Sequence, residues 1–186
     1  MYTKDQLLAS LKSETAIIKH LATCVPAAQL EYRASPAQRS TLELLQYLTM
    51  TAESSVRFGV SGSWDSSEAV EAAAKTVTLA TFAKAMDRQL RQITAQLKPF
   101  SDKQLAKKMV KHWNGKTMPL SVMLVELALK TLVAYRMQLF LAAKASGATT
   151  IGSSDLWMGK TAKPAKPAKT AKVAKVAKAA STSASA

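Results

Sequence analysis

The chain has 186 residues, of which 48% are apolar, and this is enough for one domain with a sizeable core. Its formal net charge is +14, with 26 lysines and arginines against 12 acidic residues, and such an excess suits a polyanionic partner. The single cysteine, Cys24, excludes the intramolecular disulfide framework of small secreted proteins and favours a reducing compartment.

The most apolar part of the chain does not have the character of a membrane span. Residues 118–143 are interrupted by Glu126, Lys130 and Arg136, and charged side chains are costly in the hydrocarbon core of a bilayer. The N-terminal sequence MYTKDQLLASLKSE lacks the apolar core of a signal peptide. We therefore expect a cytoplasmic protein that does not bind membranes, with nucleoid association as a further expectation.

The first two predicted helices follow from apolar spacing and capping signals. Leucine and isoleucine at three- and four-residue intervals predict a helix over 4–23, with Thr3 or Asp5 as its cap. After a polar connector, the capping box STLE begins a second helix that is predicted over 40–58. The glycines and serines of 59–67 predict a loop.

The second half of the chain contains two longer predicted helices. A stripe of apolar residues predicts the third helix over 67–97, although the pattern is weaker in its first turns. The capping box SDKQ at 101–104 favours a short helix, and Asn-Gly at 114–115 predicts a turn. The fourth helix is predicted over 119–145, with proline as its first residue and Gly147 as its stop.

Four long amphipathic segments without a convincing alternating strand predict an all-α fold, a four-helix bundle over residues 1–158. The fourth helix is apolar on most faces, so we expect it at the centre of the bundle or shared with a second copy, which predicts a homodimer. Residues 148–159 are predicted to be an ordered extension because Leu156, Trp157 and Met158 favour burial.

Residues 159–186 are predicted to form a disordered basic tail, because they contain almost nothing that can be buried. Lysine recurs there with a strict period of three and no acidic residue is present, which predicts binding to nucleic acid or another polyanion without sequence specificity. The tail resembles the alanine-, proline- and lysine-rich tails of linker histones. The seven lysines are Lys160, Lys163, Lys166, Lys169, Lys172, Lys175 and Lys178.

Three stretches of the body carry a resemblance to a known family: SPAQRSTLELLQYL, FAKAMDRQLRQITAQLKPFSDKQL and LVELALKTLVAYRMQLFLAAKASG. In their order and spacing they resemble the DinB-like (DinB/YfiT) superfamily of bacterial four-helix bundles. The first resembles the family's second helix, and the second resembles its middle helix and the following turn. The third resembles its last helix, which carries two histidines spaced by four and the sequence His-Arg-Gly-Gln-Leu. The resemblance covers residues 4–158 and implies a four-helix bundle.

The resemblance also implies a metal site that this chain has lost. Typical members bind one divalent ion through three histidines, and the matching positions here are Tyr47, Thr131 and Tyr135. Hydroxyl groups are poor ligands for zinc or nickel at neutral pH. We therefore expect neither a metal nor another cofactor, and we expect the three side chains to meet and hydrogen-bond inside the bundle. The motif's glycine is replaced by Met137.

Other chemical groups give weaker signals. His20 and Cys24 are spaced by four on the first helix and, with His112, would make three metal ligands, but His112 lies in a distant connector. Cys24 and His20 also form a conceivable nucleophile and base, without an evident third group. Trp64 and Trp113 are expected to cover the edge of the core.

The sequence is compatible with three functions. The first is a non-catalytic, metal-free bundle whose basic tail binds nucleic acid or another polyanion. The second, implied by the resemblance, is a metal- or thiol-dependent transferase or isomerase. The third is a small-molecule binder that uses the vacated metal pocket.

Overall fold

The structure, a computed structural model, describes residues 2–161. The helices of this part are α1 Lys4–Thr23, α2 Thr41–Leu48, α3 Thr51–Ser61, α4 Glu68–Ala74, α5 Leu79–Leu97, α6 Asp102–Lys107, α7 Leu120–Leu124, α8 Lys130–Ala145 and α9 Ser153–Met158, together with a π-helical turn at Val125–Leu129. Two short strands are β1 Met109–Lys111 and β2 Thr117–Pro119. Most of the predicted tail lies outside the described residues, which include only its first three positions.

The fold is all-α and built on four helical arms, as predicted: α1, the pair α2–α3, α5, and the continuous run from α7 through the π turn to α8. The core lies between these arms and is made mainly of aliphatic side chains, with Phe58, Phe82, Phe140, Met86 and Met123. Helix α1 packs against both α5 and α8, and α2 packs against α8. In the part of the chain that the structure describes, no helix has the length and apolar character needed to cross a bilayer.

The second arm is broken where the sequence predicted one continuous helix. Helix α2 ends at Leu48, and α3 begins at Thr51. Gln89 of α5 fills the break: its side-chain nitrogen donates to the Leu48 carbonyl at 2.9 Å, and its oxygen accepts from the Ala52 amide at 3.1 Å. Because Gln89 satisfies groups that a continuous helix would pair internally, the break is stable inside the core. The prediction of a loop from residue 59 was wrong for the first three residues, which are helical.

The predicted third helix is also two helices. Helix α4 ends at Ala74, and α5 begins after Thr78, whose extended backbone and pairing with Thr81 make a new N-terminal cap. The Thr78 amide donates to the Thr81 hydroxyl at 3.0 Å, so the side chain of the third helical residue satisfies the cap backbone. Four residues of connection therefore separate the short α4 from the long α5.

A β-hairpin, which the sequence did not predict, precedes the last arm. Strands β1 and β2 pair antiparallel, with Met109 opposite Pro119. The turn lies at Asn114-Gly115, as predicted, and Gly115 has φ +86°, which glycine adopts without strain. Pro119 has extended backbone and precedes the helix by one residue instead of beginning it.

The fourth arm is central on one side and exposed on the other. Helix α8 buries Leu132, Leu139 and Ala143 against the bundle. Its opposite side carries Val133 and Met137, each 38% exposed, while the last helix, α9, leaves Trp157 and Met158 more than half exposed. The prediction that Trp157 and Met158 are buried was therefore wrong, whereas Leu156 of the same helix is buried.

Candidate functional site

The three positions that match the family's histidines lie on two packed helices. Tyr47 is in α2, and Thr131 and Tyr135 are one turn apart in α8. The rings of Tyr47 and Tyr135 meet edge to face, with centroids 4.9 Å apart and planes at 62°. The contact that joins the two tyrosines is therefore aromatic. Hydrogen bonding among the three hydroxyls stays a prediction.

A cation that the sequence did not single out covers this pair of rings. The guanidinium carbon of Arg39 lies 4.0 Å from the ring centroid of Tyr47 and 6.0 Å from that of Tyr135. Both distances fall in the range of a cation–π interaction. An arginine in a polar connector resembles an ordinary surface residue, so the sequence offered no signal that Arg39 belongs to the site.

Thr131 faces Tyr47 across a cavity of about 290 Å³. The two tryptophans expected at the edge of the core line this cavity: Trp64 stacks on Phe58 with centroids 4.3 Å apart, and Trp113 is 69% exposed at the rim. The lining also includes polar residues that the sequence did not identify, which are Thr51, Ser54, Ser55 and Glu71. The arrangement makes a polar cleft with aromatic walls.

One polar atom in this cleft has no bond to the protein. The Ser54 side chain lines the cavity and is buried, with 2% of the residue exposed. Its hydroxyl finds no hydrogen-bond partner within residues 2–161. A buried hydroxyl without a partner costs about 1–3 kcal/mol, so the cleft has the polarity and volume to hold a small polar molecule.

The donor set does not fit a divalent metal. Burial raises the pKa of the Tyr47 phenol above its ordinary value, and this outweighs the opposing effects of Thr51 and Arg39. A neutral phenol and a threonine hydroxyl are weak ligands for zinc or nickel. The guanidinium of Arg39 adds a positive charge that repels a second cation at the same place.

The structure brings a different set of metal-ligating residues together. Within the described part of the chain, His20, Cys24 and Asp155 each offer a ligand atom that lies within 4.8 Å of the others. His112 is not in this group; it lies just after β1, where its Nδ1 accepts from the Asn114 amide at 3.2 Å. The ligand set with His112 is therefore wrong, and Asp155 takes the third position.

The same cluster lacks the geometry of a catalytic triad. The Cys24 sulfur lies 3.9 Å from His20 Nε2, and that nitrogen is also 2.8 Å from the Asp155 carboxylate. In a triad the acid bonds one ring nitrogen and the nucleophile the other, so that the proton can move between them. Burial also raises the pKa of the Cys24 thiol, which opposes the formation of a nucleophilic thiolate.

No protein-family model and no curated protein matches the chain. Among solved structures, the chain is similar to a crystal structure of a DinB-like protein, YjoA, from Bacillus subtilis, with a TM-score of 0.57 and 16% sequence identity. The match covers 76% of this chain and 92% of that one. At this identity the similarity concerns the fold alone. The chain therefore has the DinB-like fold.

Proposed function

We propose that this chain is a non-catalytic DinB-like bundle that has lost the family's metal and uses its lysine-rich arm to bind nucleic acid or another polyanion. The observation that carries the first half is the packing of Tyr47, Tyr135 and Arg39. The Arg39 guanidinium lies 4.0 Å from the centre of the Tyr47 ring. A metal ion at this place would need negative or neutral ligands and would be repelled by the positive charge of Arg39.

The same packing argues against the metal- or thiol-dependent enzyme. Transferase chemistry of the kind implied by the resemblance needs an ion to hold and polarise its substrate. Tyr47 is a phenol with a raised pKa, and Thr131 ionises still less readily, so neither supplies an anionic ligand near neutral pH. The bundle then serves as a scaffold that carries the arm.

Restoring the ligands tests whether these three positions are a former metal site. We expect a variant with Tyr47→His, Thr131→His, Tyr135→His and Arg39→Gln to bind one Ni²⁺ or Zn²⁺ at least about tenfold more tightly than a variant with only two of the histidines. Isothermal titration calorimetry measures both affinities. Cys24→Ser is included in every chain so that the second cluster contributes no thiolate.

The native residues are tested in the same background. The Cys24→Ser chain with its tyrosines intact is expected to bind no stoichiometric ion at this position. A bound ion that is lost on Tyr135→Phe would instead favour the enzyme. Failure of the three-histidine variant to bind, with its helix content unchanged by circular dichroism, would show that the three positions do not converge.

The second half of the proposal concerns the seven lysines. Lys160 is exposed in the structure, and the six from Lys163 to Lys178 lie outside the described residues. A run of one charge sign with a fixed period favours the release of condensed counterions from a polyanion. We also propose a cytoplasmic location, with association to the nucleoid. Comparing the full chain with a chain that ends at Gly159 tests this half.

We also propose that the chain forms a homodimer through the exposed side of α8. Val133, Met137 and Leu141 follow one another at four-residue spacing, and Leu141 is 56% exposed. The occupant that fits is a second copy in antiparallel orientation. Glu126 near the start of this arm would then approach Lys144 near the end of the partner's, so opposite charges flank the apolar centre.

A charge in this stripe is expected to break the dimer. Leu141→Asp should raise the dimer dissociation constant by at least about 30-fold, because the new carboxylate must be desolvated within the apolar stripe. Sedimentation equilibrium measures the constant. Gln92→Asp, on an exposed face of α5, is the matched control and should leave it unchanged. A wild-type chain that remains monomeric at high micromolar concentration would contradict the proposal.

A further inference from the structure

Three different metal-ligating side chains cluster at the C-terminal end of α1, where α9 packs against it. His20 and Cys24 are one turn apart on the last turn of α1 and its cap, so they share a face. Asp155 reaches them from α9, with its Oδ1 2.8 Å from His20 Nε2. None of the three lines the cleft of Tyr47 and Thr131.

The position of Asp155 is fixed by its surroundings. Its side chain is 2% exposed, the Gly152 amide donates to Oδ2 at 2.9 Å, and the Thr161 hydroxyl donates to Oδ1 at 3.0 Å. Helix α9 is seated closely on α1, since a Cβ on Gly159 would lie 3.1 Å from the Ile17 Cα. Such support for a carboxylate from neighbouring donors is what metal ligands need in order to keep their direction.

The spacing of the donor atoms is close to that of a tetrahedral ion. Bonds of about 2.0–2.3 Å at tetrahedral angles place nitrogen and oxygen ligands about 3.4 Å apart, and sulfur about 3.6 Å from either. The observed distances are 2.8 Å between His20 Nε2 and Asp155 Oδ1 and 3.9 Å between His20 Nε2 and Cys24 Sγ. The Cys24 sulfur and the Asp155 carboxylate lie within 4.8 Å of each other, so rotation of the half-buried His20 and Cys24 side chains must bring the donors to these distances.

We propose that His20, Cys24 and Asp155 form a binding site for a zinc-type divalent cation. One imidazole nitrogen, one thiolate and one carboxylate are a ligand set that Zn²⁺ prefers, and three protein ligands leave the fourth position for water. Binding replaces the thiol proton: the Cys24 S–H bond breaks, a metal–sulfur bond forms, and one proton passes to solvent.

The ion would act where the basic arm begins. Asp155 lies five residues before Lys160, the first lysine of the series, and Thr161 bonds to the same carboxylate. A metal that joins α1 to α9 would therefore hold the root of the arm on the bundle. This proposal concerns a different place from the site of Tyr47 and Tyr135, so the absence of a metal there and its presence here are compatible.

Cobalt gives the direct test on the full chain. After treatment with a chelator, the wild type is expected to bind one Co²⁺ per chain with a thiolate-to-cobalt charge-transfer band in the near ultraviolet. Zn²⁺ should displace it. Cys24→Ser should remove the band and weaken Zn²⁺ binding at least about tenfold, as measured by competition with a chromogenic chelator.

Further variants separate a ligand from a structural residue. His20→Gln should also weaken binding at least about tenfold, and His112→Gln, which removes the chain's other imidazole, should leave the band and the affinity unchanged. Circular dichroism confirms that each variant is folded. The absence of a cobalt band in the wild type, or equal zinc affinity in the wild type and Cys24→Ser, would overturn this inference and leave the proposed function standing. A stoichiometric ion that survives Cys24→Ser and is lost on Tyr135→Phe overturns the proposed function instead.

Discussion

A chain that ends at Gly159 is expected to lose nearly all affinity for duplex DNA at moderate salt. The seven removed lysines carry half of the net charge, since the remaining 19 basic and 12 acidic residues leave +7 of the chain's +14. Each lysine placed on a phosphate releases a condensed cation, and this release supplies the free energy of non-specific binding. The bundle's remaining charge is spread over a folded surface with acids interspersed.

The salt dependence gives the size of the effect. If all seven lysines engage, the logarithm of the binding constant should fall against the logarithm of salt concentration with a slope of about −6. Between 50 and 200 mM salt the affinity then falls by about 10³–10⁴-fold. Fluorescence anisotropy with labelled duplexes of two unrelated sequences measures the slope. Equal affinities for both sequences are expected, because lysine alone does not read base edges.

Two full-length variants serve as controls for the truncation. Replacing all seven lysines by arginine keeps the charge and should keep the slope, whereas replacing them by glutamine should act like the truncation. A truncated chain that still binds DNA with a steep salt dependence would place the binding surface on the bundle and contradict the proposal. Equally weak binding by the full chain, the truncated chain, the arginine variant and the glutamine variant would also contradict it.

The starts of α1, α2 and α6 could be predicted from the sequence because they depend on neighbours in the chain. The capping boxes at Thr3, Ser40 and Ser101 are present in the structure, each with its side-chain oxygen accepting from the third amide of the helix. A cap involves atoms within four residues, so its signal is complete in a short sequence window. The i, i+4 placement of Thr131 and Tyr135 on one helix could be predicted for the same reason.

The break between α2 and α3 could not be predicted because it depends on a distant residue. The break after Leu48 is satisfied by Gln89, about 40 positions away on another helix. The hairpin strands are three residues long, too short for an alternating pattern to be recognised. Arg39 at the tyrosines and Asp155 at His20 likewise reach their partners only through the tertiary fold, and sequence spacing carries no trace of those contacts.

The ion pair between Arg136 and Glu14 is expected to be the most sensitive single interaction in the bundle. Arg136 is 4% exposed and donates to the Glu14 carboxylate at 2.9 Å, and its guanidinium lies 4.9 Å from the Trp157 ring. Arg136→Met should lower the free energy of unfolding by about 3–5 kcal/mol, because it leaves a largely buried carboxylate without its partner. Urea unfolding followed by circular dichroism measures the loss.

A double variant tests whether Arg136→Met loses stability because Glu14 is left with an unpaired charge. Glu14→Gln together with Arg136→Met removes both charges, and its stability should return to within about 1–2 kcal/mol of the wild type. The pair is imperfectly satisfied, since Glu14 Oε2 and Arg136 Nε have no partner among the described residues. A double variant as unstable as Arg136→Met would mean that packing of the arginine against Trp157, and not its charge, stabilises this contact.

The stability deficit of Arg136→Met should depend on pH because Glu14 ionises. Burial raises the pKa of its carboxyl above the ordinary value, although Arg136 lowers it in part. A carboxyl whose pKa is higher in the folded than in the unfolded protein binds protons more tightly when folded, so its ionisation destabilises the fold as pH rises. Arg136→Met removes the charge that lowers the pKa of Glu14, so this pKa rises further in the folded protein and ionisation of Glu14 destabilises the fold more. Its deficit relative to the wild type should therefore be smallest near pH 4, where the carboxyl is protonated, and should grow towards neutral pH. The double variant has no carboxyl at this position, so the deficit of Arg136→Met relative to the double variant should follow the same course, small near pH 4 and larger towards neutral pH. A deficit that stays constant with pH would show that Glu14 is not the group that responds.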